Sequence, residues 1–271
     1  MNNPKLPGCL LATILLLSLQ TNAQFSVEKA HALVDAYVRA ERVNGAVLVA
    51  QKGTILLEEG YGYQDAAAKK KNEGRTIFQI GSLTKQFTSA VIMQLQQEKK
   101  LSVKDKLSKY FPGLPFADSV TLENLLTHTS GIYNYTQNAA FMKNQATLPH
   151  SHEEMLALFK DKPLGFAPGS KYEYSNSNYV LLGYIIEKVT GKPYPQVVRE
   201  RILTPLKMTS SGFDFTHLSS PYKAVGYSRL GNDLQPAPIV DSTASFSAGA
   251  LYSTVEDLYK WDRALNTTAI L

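Results

Sequence analysis

Residues 76–97 read "TIFQIGSLTKQFTSAVIMQLQQ". An apolar run stops at Gly81, Ser82 follows, and Lys85 stands three residues later. From there Phe87, Val91, Ile92 and Leu95 recur at the spacing of one buried helical face. Two readings compete for this stretch. Ser82 is either a nucleophile with Lys85 as its activator, or a helix cap with a solvated lysine behind it. A serine hydroxyl attacks poorly until a neighbouring base takes its proton. Residues three apart share a helical face, and a lysine serves as base once burial or nearby positive charge leaves part of it neutral. At the first helical position the Ser82 N–H would also favour a developing oxyanion.

The string S-x-x-K is weak by itself, because the chain holds it three times: Ser26-Lys29, Ser82-Lys85 and Ser220-Lys223. Ser26 reads as a cap near the start of a helix, and Ser220 precedes Pro221 in a loop. Only Ser82 lies between a strand-like run, a glycine that lets backbone approach closely, and an immediate strong helix. A second candidate is "FAPGSKYEYSNSNYVLLG", where Tyr174-Ser175-Asn176 stands in a polar loop before another helix. It is either a turn with Asn176 or Asn178 as cap, or a proton-shuttling tyrosine paired with an amide that holds a substrate carbonyl.

Around these stretches the chain punctuates itself clearly. Ala30, Leu33, Val34, Tyr37 and Val38 form a helical stripe. Two apolar runs, 46–50 and 54–57, flank Gln51-Lys52-Gly53 as a β-hairpin. "TLENLLTHTSGI" reads as a short helix capped at Thr121 and stopped at Gly131. "NYVLLGYIIEKVTGKPY" is a helix capped by Ser177 or Asn178, with Val180, Leu181, Tyr184 and Ile185 on its apolar face and Gly191 and Pro193 closing it. "STVEDLYKWDRAL" has Ser253 or Thr254 as cap, Glu256 at the capping-box position, and Leu258, Trp261 and Leu265 inside.

The whole chain has 271 residues, 44% hydrophobic and 19% charged, which is ordinary globular composition. Residues 1–23 carry Lys5 ahead of an apolar stretch too short to span a bilayer, then Ala23 as a cleavage residue, and read as a secretory leader. Cys9 is the only cysteine and would leave with it, so disulfides, a thiol nucleophile and cysteine-ligated metal are excluded from the processed chain. The net charge of +5 is spread along the sequence, with no basic face interleaved with aromatics for nucleic acid. "HSHEE" at 150–154 lacks a third ligand at helical spacing. No cofactor, metal, nucleic-acid partner or stable membrane anchor is therefore expected.

Five blocks occur in one order: "GSLTK", "LLTHTSGI", "PGSKYEYSNSNYVLLGYIIEKVTG", "PLKMTSSGF" and "SAGALYSTVEDLYKW". In this the chain resembles the serine β-lactamase and penicillin-binding protein superfamily, in its branch of class C β-lactamases, D-alanyl-D-alanine carboxypeptidases and esterases. The resemblance runs from about Gly45 to Trp261. It implies an α+β, β-lactamase/transpeptidase-like fold: an antiparallel sheet flanked by helices, with a mostly helical subdomain at roughly 82–235, within one domain over 24–271. It implies Ser82 as the acylated nucleophile, Lys85 as its helper, Tyr174 as general base and acid, and Asn176 in contact with Lys85 and the substrate amide. His128 falls where the family has a structural histidine before a tight turn. The function implied is an exported, periplasmic or secreted, monomeric serine hydrolase acting on a β-lactam, a D-alanyl peptide or a small ester. The alternative is a non-catalytic member that binds cell-wall peptides.

The family's third box, Lys-Thr-Gly or His-x-Gly, has no match after Tyr174; the nearest string is "YKAVGYS", with Lys223 three before Gly226. Only one hairpin is legible, without partner strands. The expectation is a C-terminally truncated copy, with one wall of the site and the C-terminal strands missing, poorly stable and nearly inactive in isolation.

Overall fold

The computed structural model describes residues 26–40, 42–230, 233–267 and 270. The expected leader at 1–23 lies outside these residues. Helix α1 (Val27–Arg39) is capped by Ser26, whose hydroxyl accepts from Lys29 N–H. This settles the first S-x-x-K string as a cap. Of the helical stripe, Ala30, Val34 and Val38 are half-buried, while Leu33 and Tyr37 are 60% and 52% exposed. Strands β1 (Gly45–Gln51) and β2 (Thr54–Tyr61) pair antiparallel, Gln51 opposite Thr54. The turn is Lys52-Gly53 alone, both with positive φ (50° and 85°), which matches the right-handed twist of a tight hairpin. Gln51, read as part of the turn, is the last residue of β1 instead.

Among the described residues six further strands are two to four residues long, too short for alternation to reveal them in the sequence. They are β3 (Tyr63–Asp65), β4 (Lys70–Lys71), β5 (Phe78–Gln79), and later β6 (Tyr227–Leu230), β7 (Asp233–Pro236) and β8 (Tyr252–Ser253). β3 pairs with β4, β6 with β7, and β5 with β8, all antiparallel. The β5–β8 pair matters most for the site. It joins the residues just before Ser82 to the "SAGALYS" block, and Ile80 N–H adds a bond to Leu251 O at 2.9 Å.

The helices are α2 (Thr84–Gln97), α3 (Leu122–Leu126), α4 (Ala139–Asn144), α5 (His152–Ala157), α6 (Asn176–Thr190), α7 (Tyr194–Val198), α8 (Ser242–Gly249) and α9 (Val255–Leu265). Phe87, Val91, Ile92 and Leu95 of α2 are all fully buried, as their spacing predicts. α6 is apolar nearly all round, and Tyr179 to Ile186 are buried without a break. It packs on α2, α3, α7 and α8, so the one-face reading was too narrow. Gly183 admits the close approach to α8: a Cβ there would lie 2.6 Å from Phe246 Cε1 and from Ser247 Cβ. Trp261 of α9 stacks on Phe87 at 4.3 Å and donates from its indole to Gln86. Leu265, expected beside it, is half-exposed.

One cap differs from expectation, and two other helices keep their expected caps but differ in detail. α6 begins at Asn176 with Ser175 as N-cap, not Ser177 or Asn178. Both of those are buried and engaged elsewhere: Ser177 Oγ donates to Tyr133 O, and Asn178 Oδ1 accepts from Ser130 Oγ. α9 is capped by Thr254, so its third residue is Asp257 rather than Glu256. The Asp257 carboxylate turns away to Ser210 N–H, Ser211 Oγ and Lys260. α3 has the expected Thr121 cap, closed by Asn124 as a capping box, but ends at Leu126, well before Gly131. Thr127 Oγ1 takes the Glu123 carbonyl there, and His128 then enters the left-handed region at φ 57°. At the far end of α6, Gly191 closes the helix at φ 67°, as expected.

Candidate active site

Ser82 sits in a 3₁₀ turn (Gly81–Leu83), two residues before Thr84 opens α2, not on the first turn of that helix. Gly81 is needed for its positive φ of 53°; a Cβ there would touch nothing, so close backbone approach is not its role. Lys85 lies on the first turn of α2 and is buried. Its Nζ stands 3.1 Å from Ser82 Oγ, 2.8 Å from Asn176 Oδ1 and 2.7 Å from the carbonyl oxygen of Ala248. Tyr174 OH stands 2.7 Å from Ser82 Oγ. Of the four residues singled out in the sequence, Lys85 and Tyr174 therefore meet at the Ser82 hydroxyl, and Asn176 joins them through Lys85.

Segment 247–251 locks this arrangement. Phe246 has non-helical angles (φ 38°, ψ −134°) inside α8. The break turns two carbonyls toward α2: Thr88 Oγ1 donates to Ser247 O at 2.7 Å, and Lys85 donates to Ala248 O. Thr84 Oγ1 accepts from Leu251 N–H and donates to Gly81 O. A left-handed non-glycine conformation of this kind costs about 1–3 kcal/mol, which the surrounding packing must supply.

The geometry of Lys85 has a chemical consequence. Asn176 Oδ1 and Ala248 O are acceptors only. A neutral amine would give both its protons to them, leaving its lone pair toward Ser82 Oγ. Burial pushes the Lys85 ammonium down from 10.5 to about 8, so roughly a tenth is neutral at pH 7. Lys85 also faces the rings of Tyr174 and Tyr179, at 4.9 and 5.4 Å from their centroids.

His128 lies beneath this group without touching Ser82. Its ring lies tilted by 37° against Tyr174 at 4.5 Å and Tyr179 at 5.1 Å, and Nδ1 accepts from Ser175 N–H at 3.2 Å. Nδ1 must be unprotonated to accept, so the ring is neutral with its proton on Nε2. Burial, then the charge of Lys85, lower its pKa from 6.5 to about 4. The folded chain thus binds fewer protons here than the unfolded one, and stability falls as pH drops from about 6.5 to about 4. The loss is complete below that, on the order of 2 kcal/mol once solvent screening is allowed for. In thermal melts His128→Asn, which tolerates positive φ, should fall less steeply than wild type across this window. Equal slopes would contradict the buried neutral imidazole. Glu98, held down at about 2 by Arg201 and Lys100, titrates lower and in both proteins.

Other candidates are not drawn in. Lys223 Nζ donates to Thr216 O, and Ser220 Oγ accepts from Tyr222 N–H, so the third S-x-x-K string makes no pair. His150 Nε2 bonds Gln145 O, and His152 pairs with Glu187 at 3.4 Å. Among the described residues no group of three or more His, Cys, Asp or Glu could hold a metal ion. A cavity of about 790 Å³ beside β5 and the β6–β7 hairpin contains none of the four converging residues. Its lining is mostly apolar, so the chemistry locates the site and the volume does not. Residues that the sequence reading missed are Asn134, Thr136 and Ala248. Asn134 Oδ1 accepts from Asn176 N–H at 3.0 Å, and Asn176 Nδ2 donates to Thr136 Oγ1 at 3.2 Å.

A family model described as Beta-lactamase matches residues 30–271. The protein PbpX of Bacillus subtilis (strain 168) is 34% identical over 232 residues, 86% of this chain and 57% of that protein. The teichoic acid D-alanine hydrolase of Staphylococcus aureus is 31% identical over 229 residues, 84% of this chain and 55% of the relative. The octameric penicillin-binding protein homologue of Pyrococcus abyssi superposes with a TM-score of 0.81 at 32% identity. That match covers 91% of this chain and 58% of the other. The chain thus spans about half the length of the curated relatives it matches.

Proposed function

The chain belongs to the beta-lactamase family, its fold is β-lactamase/transpeptidase-like, and on that premise we propose that it is a serine hydrolase working through an acyl-enzyme on Ser82. The observation that carries this reading is the Ser82 hydroxyl held between Lys85 Nζ and Tyr174 OH, at 3.1 and 2.7 Å. Lys85 takes the Ser82 proton as Oγ bonds the substrate carbonyl carbon and the carbonyl electron pair moves to oxygen. When the tetrahedral adduct collapses, the bond to the leaving nitrogen or oxygen breaks. Tyr174, beside Ser82 Oγ, delivers the proton to that leaving group and is resupplied from Lys85. Water then attacks the acyl-enzyme by the same steps in reverse. Asn176 serves both Lys85 and the substrate amide.

The substrate class is an amide or ester whose acyl group fits this carbonyl-binding corner: a β-lactam, a D-alanyl peptide or a small ester. Similarity to a teichoic acid D-alanine hydrolase favours an ester- or amide-linked D-alanyl group. Such substrates lie outside the cytoplasm, and the leader-like residues 1–23 support export. No helix among the described residues is long and apolar enough to cross a membrane. The intact constellation around Ser82 weighs against a non-catalytic wall-binding role. The test is hydrolysis by the full-length protein of nitrocefin, a D-alanyl-D-alanine peptide and a p-nitrophenyl ester. Turnover of at least one is expected, and turnover of none contradicts the reading.

A further inference from the structure

Asn134 lies in the loop between α3 and α4, where its side chain caps the 3₁₀ turn Tyr135–Gln137. That duty alone would need one acceptor bond. Asn134 Oδ1 takes more: it accepts from Thr136 N–H and Oγ1–H, and from both the backbone N–H (3.0 Å) and Nδ2 (3.4 Å) of Asn176. With its proton committed to Asn134, Thr136 Oγ1 can only accept, and it accepts from Asn176 Nδ2.

The Asn176 amide is thereby fixed in one orientation. Its Nδ2 faces two acceptors and its Oδ1 faces Lys85 at 2.8 Å. A flipped amide would set oxygen against oxygen at one end and N–H against N–H at the other. Without Asn134, the Thr136 hydroxyl is free to rotate and donate to a flipped Asn176 Oδ1. The flipped Nδ2 would then donate to the Lys85 lone pair, which is the pair that faces Ser82.

We propose that Asn134 is a positioning residue for the reaction: it fixes the amide orientation of Asn176 and so keeps the Lys85 lone pair on Ser82. This rests on the reading of Lys85 as base and Ser82 as nucleophile. Asn134 touches neither reacting atom; it acts through Asn176. The titratable groups around Lys85 are Tyr174 and Tyr179 from the 174–190 segment and His128 from the loop after α3, and all stay in place in the variants below.

The experiment measures the rate at which a fluorophosphonate labels Ser82 in the full-length protein across the pH range, alongside thermal melts. Asn134→Leu removes the acceptor. Its plateau rate should fall about 10- to 100-fold, in the range of small misplacements of a catalytic group. Its acid limb should move to lower pH, because a flipped amide opposes the ammonium. Asn134→Asp keeps the acceptor and adds a negative charge. Its plateau should stay within about threefold of wild type while the limb moves to higher pH. Shifts of opposite sign are not what a merely structural residue would produce. A wild-type rate and limb in Asn134→Leu overturns the proposal, as does an Asn134→Asp variant as slow as a folded Asn134→Leu. If Asn134→Leu fails to fold, an unmoved limb in Asn134→Asp overturns it. Absence of label in wild type instead overturns the nucleophile reading, and it is seen before either variant is measured.

Discussion

Replacing Ser82 by alanine should remove turnover of every substrate that the full-length protein hydrolyses, by about 10⁴- to 10⁶-fold in kcat. The size follows from the site. Lys85, Tyr174, Asn176 and the Ala248 carbonyl all bear on Ser82 Oγ or on the group that activates it. Removing that oxygen leaves an activating apparatus with nothing to activate. The fold should not suffer. Ser82 is exposed in a 3₁₀ turn, a conformation that alanine adopts readily. Lys85 loses one of three partners and keeps Asn176 Oδ1 and Ala248 O. The melting temperature should therefore stay within a few degrees of wild type. A Ser82→Ala protein that keeps more than a few per cent of activity would place the nucleophile elsewhere.

The second large effect is at Lys85. Lys85→Met should lower kcat/KM by about 10²- to 10⁴-fold, the usual contribution of a general base. The pH profile separates this from general damage. With Lys85 as the base, the neutral amine is the active form of the wild type, so activity should rise with pH by about tenfold per unit and level off near 8. Methionine has no titrating group, and the limb should vanish with the rate. Lys85→Arg should not restore it, since a guanidinium does not lose its proton in this range. A wild-type profile with no limb between about pH 6 and 9 would contradict Lys85 as base and leave Tyr174 to take the first proton.

Much of this site was legible because the relevant signals are local. The α2 face, the Thr121 cap, the hairpin turn and the Gly191 stop each depend on residues within a few positions. The convergence of Ser82, Lys85, Tyr174 and Asn176 was legible through the order of sequence blocks, a resemblance rather than a spacing. What stayed hidden depends on long-range partners. Ala248 gives Lys85 a backbone carbonyl from 163 residues away, and any residue type carries a carbonyl. Asn134 looks like a turn residue and is one; its second duty toward Asn176 has no local mark. For a related reason Ser177 and Asn178 do not cap α6. Their side chains suit a cap, but buried partners in the loop after α3 claim them first. The short strands escaped because two residues cannot show an alternation, and β5–β8 exists through contacts across the chain.

An acyl-enzyme on Ser82 is a covalent bond to one oxygen, and peptide mass analysis measures it directly. Trypsin cuts after Arg75 and Lys85, so Ser82 falls in the peptide Thr76–Lys85. Full-length protein turning over a slow ester or β-lactam is quenched in acid, digested and weighed. The acyl mass is expected on Ser82 of that peptide, growing with substrate and lost as the ester is consumed. Steady turnover with Thr76–Lys85 unmodified, or the acyl mass on another residue, would contradict the Ser82 acyl-enzyme.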